Sequence, residues 1–361
     1  MKQSIKSILG AIILFALAFF SAIFPISCSS AGNLGLVIVR PLEKAPKLCD
    51  IRTKSATEIV CEFSAQVNVV KLFAVRVSEN GEEIGDEAEC FGSCDQNGVL
   101  TIELAERTEI GQKYKMSGTV ENSAKSTLSF SFFFLGMNDH RCNLVLSEIR
   151  DGYSSKKQEC EFIEVYAVTS GNTAGIEIFS ATDGEEKTYR FPAIEVNAGD
   201  FITVHLRSLS ENCVDELGNT LNLNQKISDT NSKSRDLFKE GNTAHLGGDA
   251  DVILLRDCET KEVLDALCYA KKSKIENNDW KKKECATAAE KATAAGVWDG
   301  KGIDRAFNAD GFTQTHSLAR QNIPALKNAS FPYPNGAQCW IVTANKNEIT
   351  PGKPNSSSAK K

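Results

Sequence analysis

Three glutamates near the middle of the chain have the residue type and the spacing for acid–base chemistry. Glu148, Glu161 and Glu164 fall within two short apolar runs whose alternation predicts neighbouring strands. Carboxylates that meet on adjacent strands could transfer protons or bind calcium. The same positions also suit buried structural acids, so the residues alone leave these roles open.

Motifs of the established catalytic classes are absent from the sequence. There is no G-x-S-x-G elbow, no H-E-x-x-H zinc motif and no phosphate-binding P-loop. The four histidines are scattered, and His205 lies inside a predicted strand, where we expect a half-buried, hydrogen-bonded ring. We therefore predict no catalytic residue, no metal site and no cofactor.

Two cysteines lie close enough in the sequence to form a disulfide. Cys90 and Cys94 lie close together in a Gly-containing stretch, and in an exported chain they predict a small-loop disulfide rather than half of a zinc site. Of twelve cysteines, all but Cys28 follow the predicted export signal. That leaves an odd number, so at least one thiol is free or pairs between chains.

The first 28 residues predict an export signal. Lys2 and Lys6 precede an apolar run that ends at Ile26-Ser27-Cys28. This ending resembles a bacterial lipobox, which places a lipid on Cys28, and residues 29–33 then form a polar tether. Cleavage after Ala31 is the alternative, and it would release a soluble secreted protein.

Short alternating runs predict an all-β chain with two antiparallel β-sandwiches. Residues 34–136 form the first sandwich, and residues 137–142 form a short linker. Gly111-Gln112-Lys113-Tyr114 resembles the tyrosine corner of immunoglobulin- and fibronectin-like folds. The strands expected in the first sandwich are 34–40, 57–63, 69–77, 99–104, 112–120 and 127–135.

The second sandwich, residues 143–355, resembles the lamin-tail domain, an immunoglobulin-like module of bacterial envelope proteins, in a version like that of spirochaete lipoproteins. Six pieces carry the resemblance in order: 146–149 with 161–166, 189–192 with 196–200, 251–255, 263–266, 317–320 with Trp340, and 350–355. The resemblance implies that Glu148 and Glu164 occupy recurring structural positions of the family. It also implies a binding or structural module. Because bacterial lamin-tail-like domains are often attached to secreted hydrolases, a metal-assisted hydrolase is the alternative.

Two long insertions interrupt this pattern, residues 208–248 and 271–315. The first is polar, with Arg235–Phe238 expected to dock as a short helix, and the second contains the one clear predicted helix, at about 279–295. Because function on rigid frames usually lies in loops, we expect partner contacts from the insertions. The candidate contact residues are Phe238, Asn242, Trp298, Phe307 and Phe312.

The composition narrows the choice of partner. The formal net charge of −6 disfavours nucleic acid, whose phosphates attract concentrated Lys and Arg. We therefore expect a non-catalytic lipoprotein of the bacterial cell envelope, at the outer membrane or the periplasmic face. It would contact the bilayer through its N-terminal lipid and bind a protein or glycan, and its tail, residues 356–361, is expected to be disordered.

Overall fold

The computed structural model describes residues 45–78, 80–152, 161–208, 212–227, 229–241, 243 and 245–360, and the backbone of 37–39. Within these ranges the fold is all-β, as the alternating sequence predicts. Almost every strand pairing is antiparallel, and two short parallel pairings at sheet edges are the exceptions. The predicted export signal, the tether and Cys28 lie outside the described residues.

The first pair of sheets is built from the strands before residue 136. One sheet has the order β1-β9-β8-β4-β5 and the other the order β2-β3-β7-β6. The strands are β1 Val37–Val39, β2 Leu48–Ser55, β3 Glu58–Phe63, β4 Asn68–Val77, β5 Glu83–Glu89, β6 Phe91–Cys94, β7 Val99–Glu103, β8 Lys113–Glu121 and β9 Thr127–Leu135.

An apolar core joins these two sheets. Phe130, Phe132 and Phe134 alternate along β9 and point into it, as the aromatic stripe predicts. The backbone N–H of Glu109 donates to the hydroxyl of Tyr114 at 2.9 Å, which fixes the turn that leads into β8. Strands β2, β5 and β6 lie at sheet edges, and the sequence did not predict them because an edge strand need not alternate between apolar and polar residues.

The second pair of sheets follows residue 143. One sheet has the order β17-β16-β11-β10-β21-β22, the other β14-β13-β18-β19-β20, and β12 pairs with β15. The strands are β10 Leu144–Arg150, β11 Phe162–Ala167, β12 Gly171–Asn172, β13 Ile176–Ser180, β14 Tyr189–Arg190, β15 Glu195–Val196, β16 Phe201–His205, β17 Arg235–Phe238, β18 Ala250–Asp257, β19 Val263–Ala270, β20 Phe307–Asn308, β21 Leu318–Arg320 and β22 Trp340–Val342.

The second insertion contributes helices that cover β18 and β19. Helix α1 spans Lys272–Glu276 and helix α2 spans Lys283–Ala294, so the predicted helix begins later than expected and a short helix precedes it. Lys281 has a φ of 65°, which interrupts the helical backbone between them. Cys285, Ala288, Ala289 and Ala292 form the buried face of α2. Short 3-10 helices occupy Glu185–Lys187, Ile303–Arg305, Ile323–Asn328, Ala337–Cys339 and Lys346–Glu348.

No helix within the described ranges is both long enough and apolar enough to cross a bilayer.

The tail was expected to be disordered, and this is wrong for the residues that the structure describes. Ala359 forms a β-bridge with Thr343, and the backbone N–H of Lys360 donates to the carbonyl of Val342 at 2.8 Å. We call residues 349–360 the C-terminal strap. Its backbone is ordered because it fills hydrogen-bonding positions that the edge of the sheet would otherwise leave open.

Candidate functional site

The aromatic residues predicted to contact a partner are buried instead. Phe238, Trp298, Phe307 and Phe312 are each at most 9% exposed, so their prediction as contact residues is wrong. Phe238 stacks on the ring of His205 with centroids 4.7 Å apart, and Phe312 packs edge-on against Tyr269. A large ring stabilises its own domain when it is buried, because its apolar surface leaves water. This explains why these rings are not available to a partner. Asn242 lies outside the described residues.

The first insertion docks on the sandwich as a strand. Arg235–Phe238, expected as a helix, forms β17 and pairs in parallel with β16. Leu237 is fully buried in the main core, whereas Asp236 points to the opposite face, where it contacts His205 with Oδ1 and Nε2 3.0 Å apart. Because side chains alternate along a strand, β17 places Leu237 in the core and Asp236 on the opposite face of the sheet.

Buried polar contacts hold the loop that precedes β17. Glu216 is fully buried and accepts the backbone N–H groups of Leu223 and Asp236 at 3.0 and 2.8 Å. The Asn224 side chain exchanges two hydrogen bonds with the backbone of Val214, at 3.0 and 2.8 Å. These contacts give the loop a defined shape because buried polar groups must keep their partners.

A groove lies on the outer side of this loop. Its volume is about 350 Å³, and Asn212, Val214, Asn222, Leu223, Gln225 and Lys226 line it. Val214 and Leu223 are 41% and 48% exposed, and neighbouring Leu217 is 54% exposed. Side-chain amides both donate and accept, so the groove offers apolar contact beside paired hydrogen bonds.

Sequence reasoning named residues of the insertions that the structure buries, and it missed the residues that line the groove. The usable signal was a set of isolated aliphatic residues, Val214, Leu217 and Leu223, within a polar stretch that lacks strand alternation. Aromatic residues attracted the prediction because they dominate binding energetics elsewhere. Here their large apolar area is buried, and the smaller side chains remain at the surface.

A cluster of ionisable side chains lies where the first insertion returns to the sandwich. Asp183 contacts Lys187, Lys239 and His245, with Lys187 Nζ at 2.9 Å and Lys239 Nζ at 3.3 Å. Burial alone would raise the pKa of Asp183, but hydrogen bonds from His245 and Lys187 outweigh it and lower the pKa to about 2. The adjoining cavity of about 10 Å³ admits one water, so this cluster is structural.

The three glutamates that the sequence singled out for acid–base chemistry lie in two different environments. Glu148 and Glu164 lie directly opposite each other on β10 and β11, and both are fully buried. Glu161 instead forms a buried salt bridge with Arg207, with Nε to Oε2 at 3.0 Å. Burial raises the pKa of Glu148 to about 7 and that of Glu164 well above its usual value. Within the described part of the chain, no three His, Cys, Asp or Glu side chains converge as metal ligands do.

His205 is more deeply placed than expected. The prediction of hydrogen bonding is confirmed by the contact with Asp236, but the ring is fully buried rather than half-buried. The insertion explains this difference, because Phe238 on β17 covers the ring.

The predicted disulfide between Cys90 and Cys94 is wrong, since both carry free thiols. Strand β6, Phe91–Cys94, is extended, so four residue-to-residue steps along a strand separate the two cysteines. At a rise of about 3.3 Å per residue they stand roughly 13 Å apart, whereas a disulfide requires Cα atoms within about 7 Å. Cys90 is buried in the apolar core of the first sandwich.

Comparison with known proteins identifies the second pair of sheets. A family model described as a protein second domain matches residues 142–342. An uncharacterized protein of the spirochaete Treponema pallidum (strain Nichols) is 25% identical over 262 residues, which are 71% of this chain and 64% of that protein. The chain thus spans less than two thirds of that relative's length. Because the family model covers more than half of the chain, the protein belongs to this family.

Proposed function

We propose that this family member is a non-catalytic lipoprotein of the bacterial cell envelope, held to the membrane by a lipid on Cys28, and that it acts as a binding module. The observation that carries the proposal is the groove of the first insertion. A defined loop presents partly exposed aliphatic side chains among amides, and such a surface favours association.

The groove favours a polypeptide partner over a glycan. Its lining contains no aromatic ring on which a sugar face could stack. Asn212, Asn222 and Gln225 can each pair with both the N–H and the C=O of an extended main chain. Val214 and Leu223 suit an aliphatic side chain, and Lys226 suits a carboxylate beside it. The proposed partner is therefore an envelope protein segment that combines an aliphatic and an acidic residue.

We further propose that the second sandwich is a divergent lamin-tail-like, immunoglobulin-like domain. In support, the first and the last of the six pieces of the sequence resemblance, which lie at opposite ends of the domain, meet in space. Glu148 and Glu164 face each other across β10 and β11, and the segment 350–355 lies over them. A determined structure that superposes on lamin-tail domains strand by strand would support this proposal, and a different strand order would overturn it.

Crosslinking in intact cells tests the binding proposal. A photoreactive side chain replaces Leu223 in one variant and Ile84 in the control, since the two leucine-sized residues are 48% and 49% exposed and Ile84 lies on the first sandwich. We expect a protein adduct from position 223 and none from position 84. A glycan adduct would refute the polypeptide partner, and equal labelling at both positions would refute the groove as a specific surface.

Two further measurements test the remaining parts of the proposal. Mass spectrometry of the mature N-terminus should find an acylated Cys28, and an unmodified chain beginning at Gly32 would contradict lipidation. The alternative of a metal-assisted hydrolase predicts metal-dependent hydrolysis of phosphoesters, peptides or glycans by the purified protein. If Glu148→Gln or Glu164→Gln abolished such an activity, the enzyme hypothesis would replace the binding module.

A further inference from the structure

The outer face of the larger sheet in the second sandwich carries a row of oxygen-bearing side chains. Glu148, Glu164, Thr203 and Asp236 occupy directly opposed positions on β10, β11, β16 and β17. All four are at most 1% exposed. They point away from the main core, because their neighbours along each strand, such as Ile163 and Leu237, belong to that core. The face is buried only because other segments cover it.

The C-terminal strap is the segment that closes over the two glutamates. The backbone N–H and the hydroxyl of Thr350 both donate to Glu148 Oε2, at 2.9 and 3.0 Å. The backbone N–H of Gly352 donates to Glu164. The Asn355 amide donates to the carbonyls of Ser147 and Arg320, at 2.9 and 2.8 Å. The two carboxyl groups are therefore the anchor points of residues 350–352.

Among the residues that the structure describes, no cationic side chain hydrogen-bonds to either carboxyl group of this pair. Besides the strap, Ser317 donates to Glu148 and Ser147 donates to Glu164 at 2.7 Å, so these donors are all neutral hydroxyl or N–H groups. Three other buried acids of this sandwich, Glu161, Glu177 and Asp265, each pair with an arginine. Two adjacent buried carboxylates cannot both remain ionised without a cation, so the pair retains a proton.

We propose that the strap is a proton-linked clasp: protonation of the Glu148–Glu164 pair keeps residues 350–352 closed on the outer face, and loss of the proton releases them. The proton resides on a carboxyl group of the pair, and on release it passes to solvent. No bond other than O–H breaks, and the strap opens because two buried negative charges repel each other.

The groups around the pair set the direction of the effect. Burial and then the Glu148 charge raise the pKa of Glu164, and Asp236 on the first insertion raises it further. Hydrogen bonds from the two serines and from the strap oppose this by lowering both pKa values, but burial outweighs them. Arg150 on β10 lowers the pKa of Glu148 less than these hydrogen bonds do, and its guanidinium is engaged by Asp229 at 2.7 Å. On the far side Asp236 contacts His205. The strap itself contributes no ionisable contact to either glutamate in the part that the structure describes.

Linkage then fixes the pH window. With the strap open, both carboxyl groups are solvated and titrate near their usual value of 4.5, whereas in the closed state the pKa of Glu148 is about 7 and that of Glu164 is also raised. The closed state therefore binds the extra proton. Closure is complete below about pH 4.5, weakens as the pH rises towards 7, and is lost beyond the raised values.

The clasp also braces the first insertion. The Asn231 amide donates to the carbonyls of Pro351 and Gly352, at 3.3 and 3.1 Å, so strap opening removes two contacts from the base of that insertion. Any effect of the clasp on the groove rests on the proposed function. The clasp itself does not, because its closure is measurable without a partner.

Hydrogen–deuterium exchange of the full chain tests the clasp. Protection of the peptide containing Thr350 and Gly352 is followed from pH 5 to pH 9, after correction for the intrinsic pH dependence of exchange. We expect protection to fall at least tenfold per pH unit between pH 5 and 7, because the closed state holds at least one more proton than the open state. Protection that stays constant over this range would overturn the proposal.

Two variants distinguish protonation of the glutamate pair from general fraying of the strap, and added calcium tests for a bound cation. In the double variant Glu148→Gln and Glu164→Gln, the amide carbonyls still accept the strap N–H groups, so protection should become independent of pH. Asp251→Asn is the matched control: Asp251 is buried and accepts neutral donors such as Ser180 at 2.7 Å, far from the strap in sequence and in sheet. It should leave the pH profile of the strap unchanged. A wild-type profile that follows added calcium rather than pH would show a cation site and refute the proton clasp.

Discussion

The two sandwiches of this protein bury different kinds of side chain. Among the described residues, the first buries one polar side chain, Thr108, within an otherwise apolar core. The second buries acids together with arginines, as in the pairs Glu161–Arg207 and Glu177–Arg256. An apolar core tolerates repacking, whereas buried ion pairs are costly to break and restrict how segments can dock. The second sandwich, which must hold two insertions and a strap, is the one that uses them.

Intrinsic fluorescence can follow one sandwich separately from the other. All three tryptophans of the chain, Trp280, Trp298 and Trp340, belong to the second sandwich or its insertion. Tryptophan fluorescence during urea unfolding therefore follows the second sandwich, and circular dichroism adds the first.

The largest effect should come from breaking a buried ion pair. Arg207→Ala leaves the Glu161 carboxylate buried without its partner, and we expect a loss of about 3–5 kcal/mol in the free energy of unfolding. The tryptophan transition should move to lower urea while the first sandwich is unaffected. A loss below about 1 kcal/mol would mean that water replaces the guanidinium. Buried ion pairs would then not distinguish the second sandwich from the first in stability.

The cluster of ionisable side chains around Asp183 should have a smaller, pH-dependent effect on the free energy of unfolding. The pKa of Asp183 is lowered from 3.8 to about 2, so its contribution is present above about pH 4 and is lost as the pH falls through 2. Asp183→Asn should therefore cost about 2 kcal/mol at pH 7. The difference from wild type should vanish in urea titrations near pH 2, and a pH-independent difference would indicate lost packing instead.

The buried polar residue of the first sandwich should matter less. The hydroxyl of Thr108 donates to the carbonyl of Ala56 at 2.9 Å, and that carbonyl also accepts the backbone N–H of Thr108 at 2.8 Å. Thr108→Val leaves the carbonyl satisfied, so we expect a loss of about 1 kcal/mol, seen by circular dichroism and not by tryptophan fluorescence. A loss as large as that of Arg207→Ala would remove the distinction between the two cores.

The smallest effect should come from a surface ion pair of the first sandwich. Arg52 contacts Asp50 and Glu62, and its side chain is 60% exposed. Arg52→Ala should cost at most about 1 kcal/mol, and the cost should fall further in high salt because exposed charges are screened. A cost of several kcal/mol that persists in high salt would show that this network acts like a buried pair.

Some features followed directly from the sequence. The all-β class, six strands of the first sandwich and the inward stripe of Phe130, Phe132 and Phe134 depend on alternation within single strands. Such features are determined by neighbours in the chain, and the sequence contains those neighbours.

Other features were decided only when distant surfaces met. Phe238 became a buried residue because β17 adds to β16 across the loop of the first insertion, and Cys90 and Cys94 were separated because β6 is extended by pairing with β7. The groove at Val214 and Leu223 and the opposition of Glu148 and Glu164 arise in the same way. Register between strands and the docking of a strap are set by the total area and hydrogen bonding of the assembled fold, which no local pattern encodes.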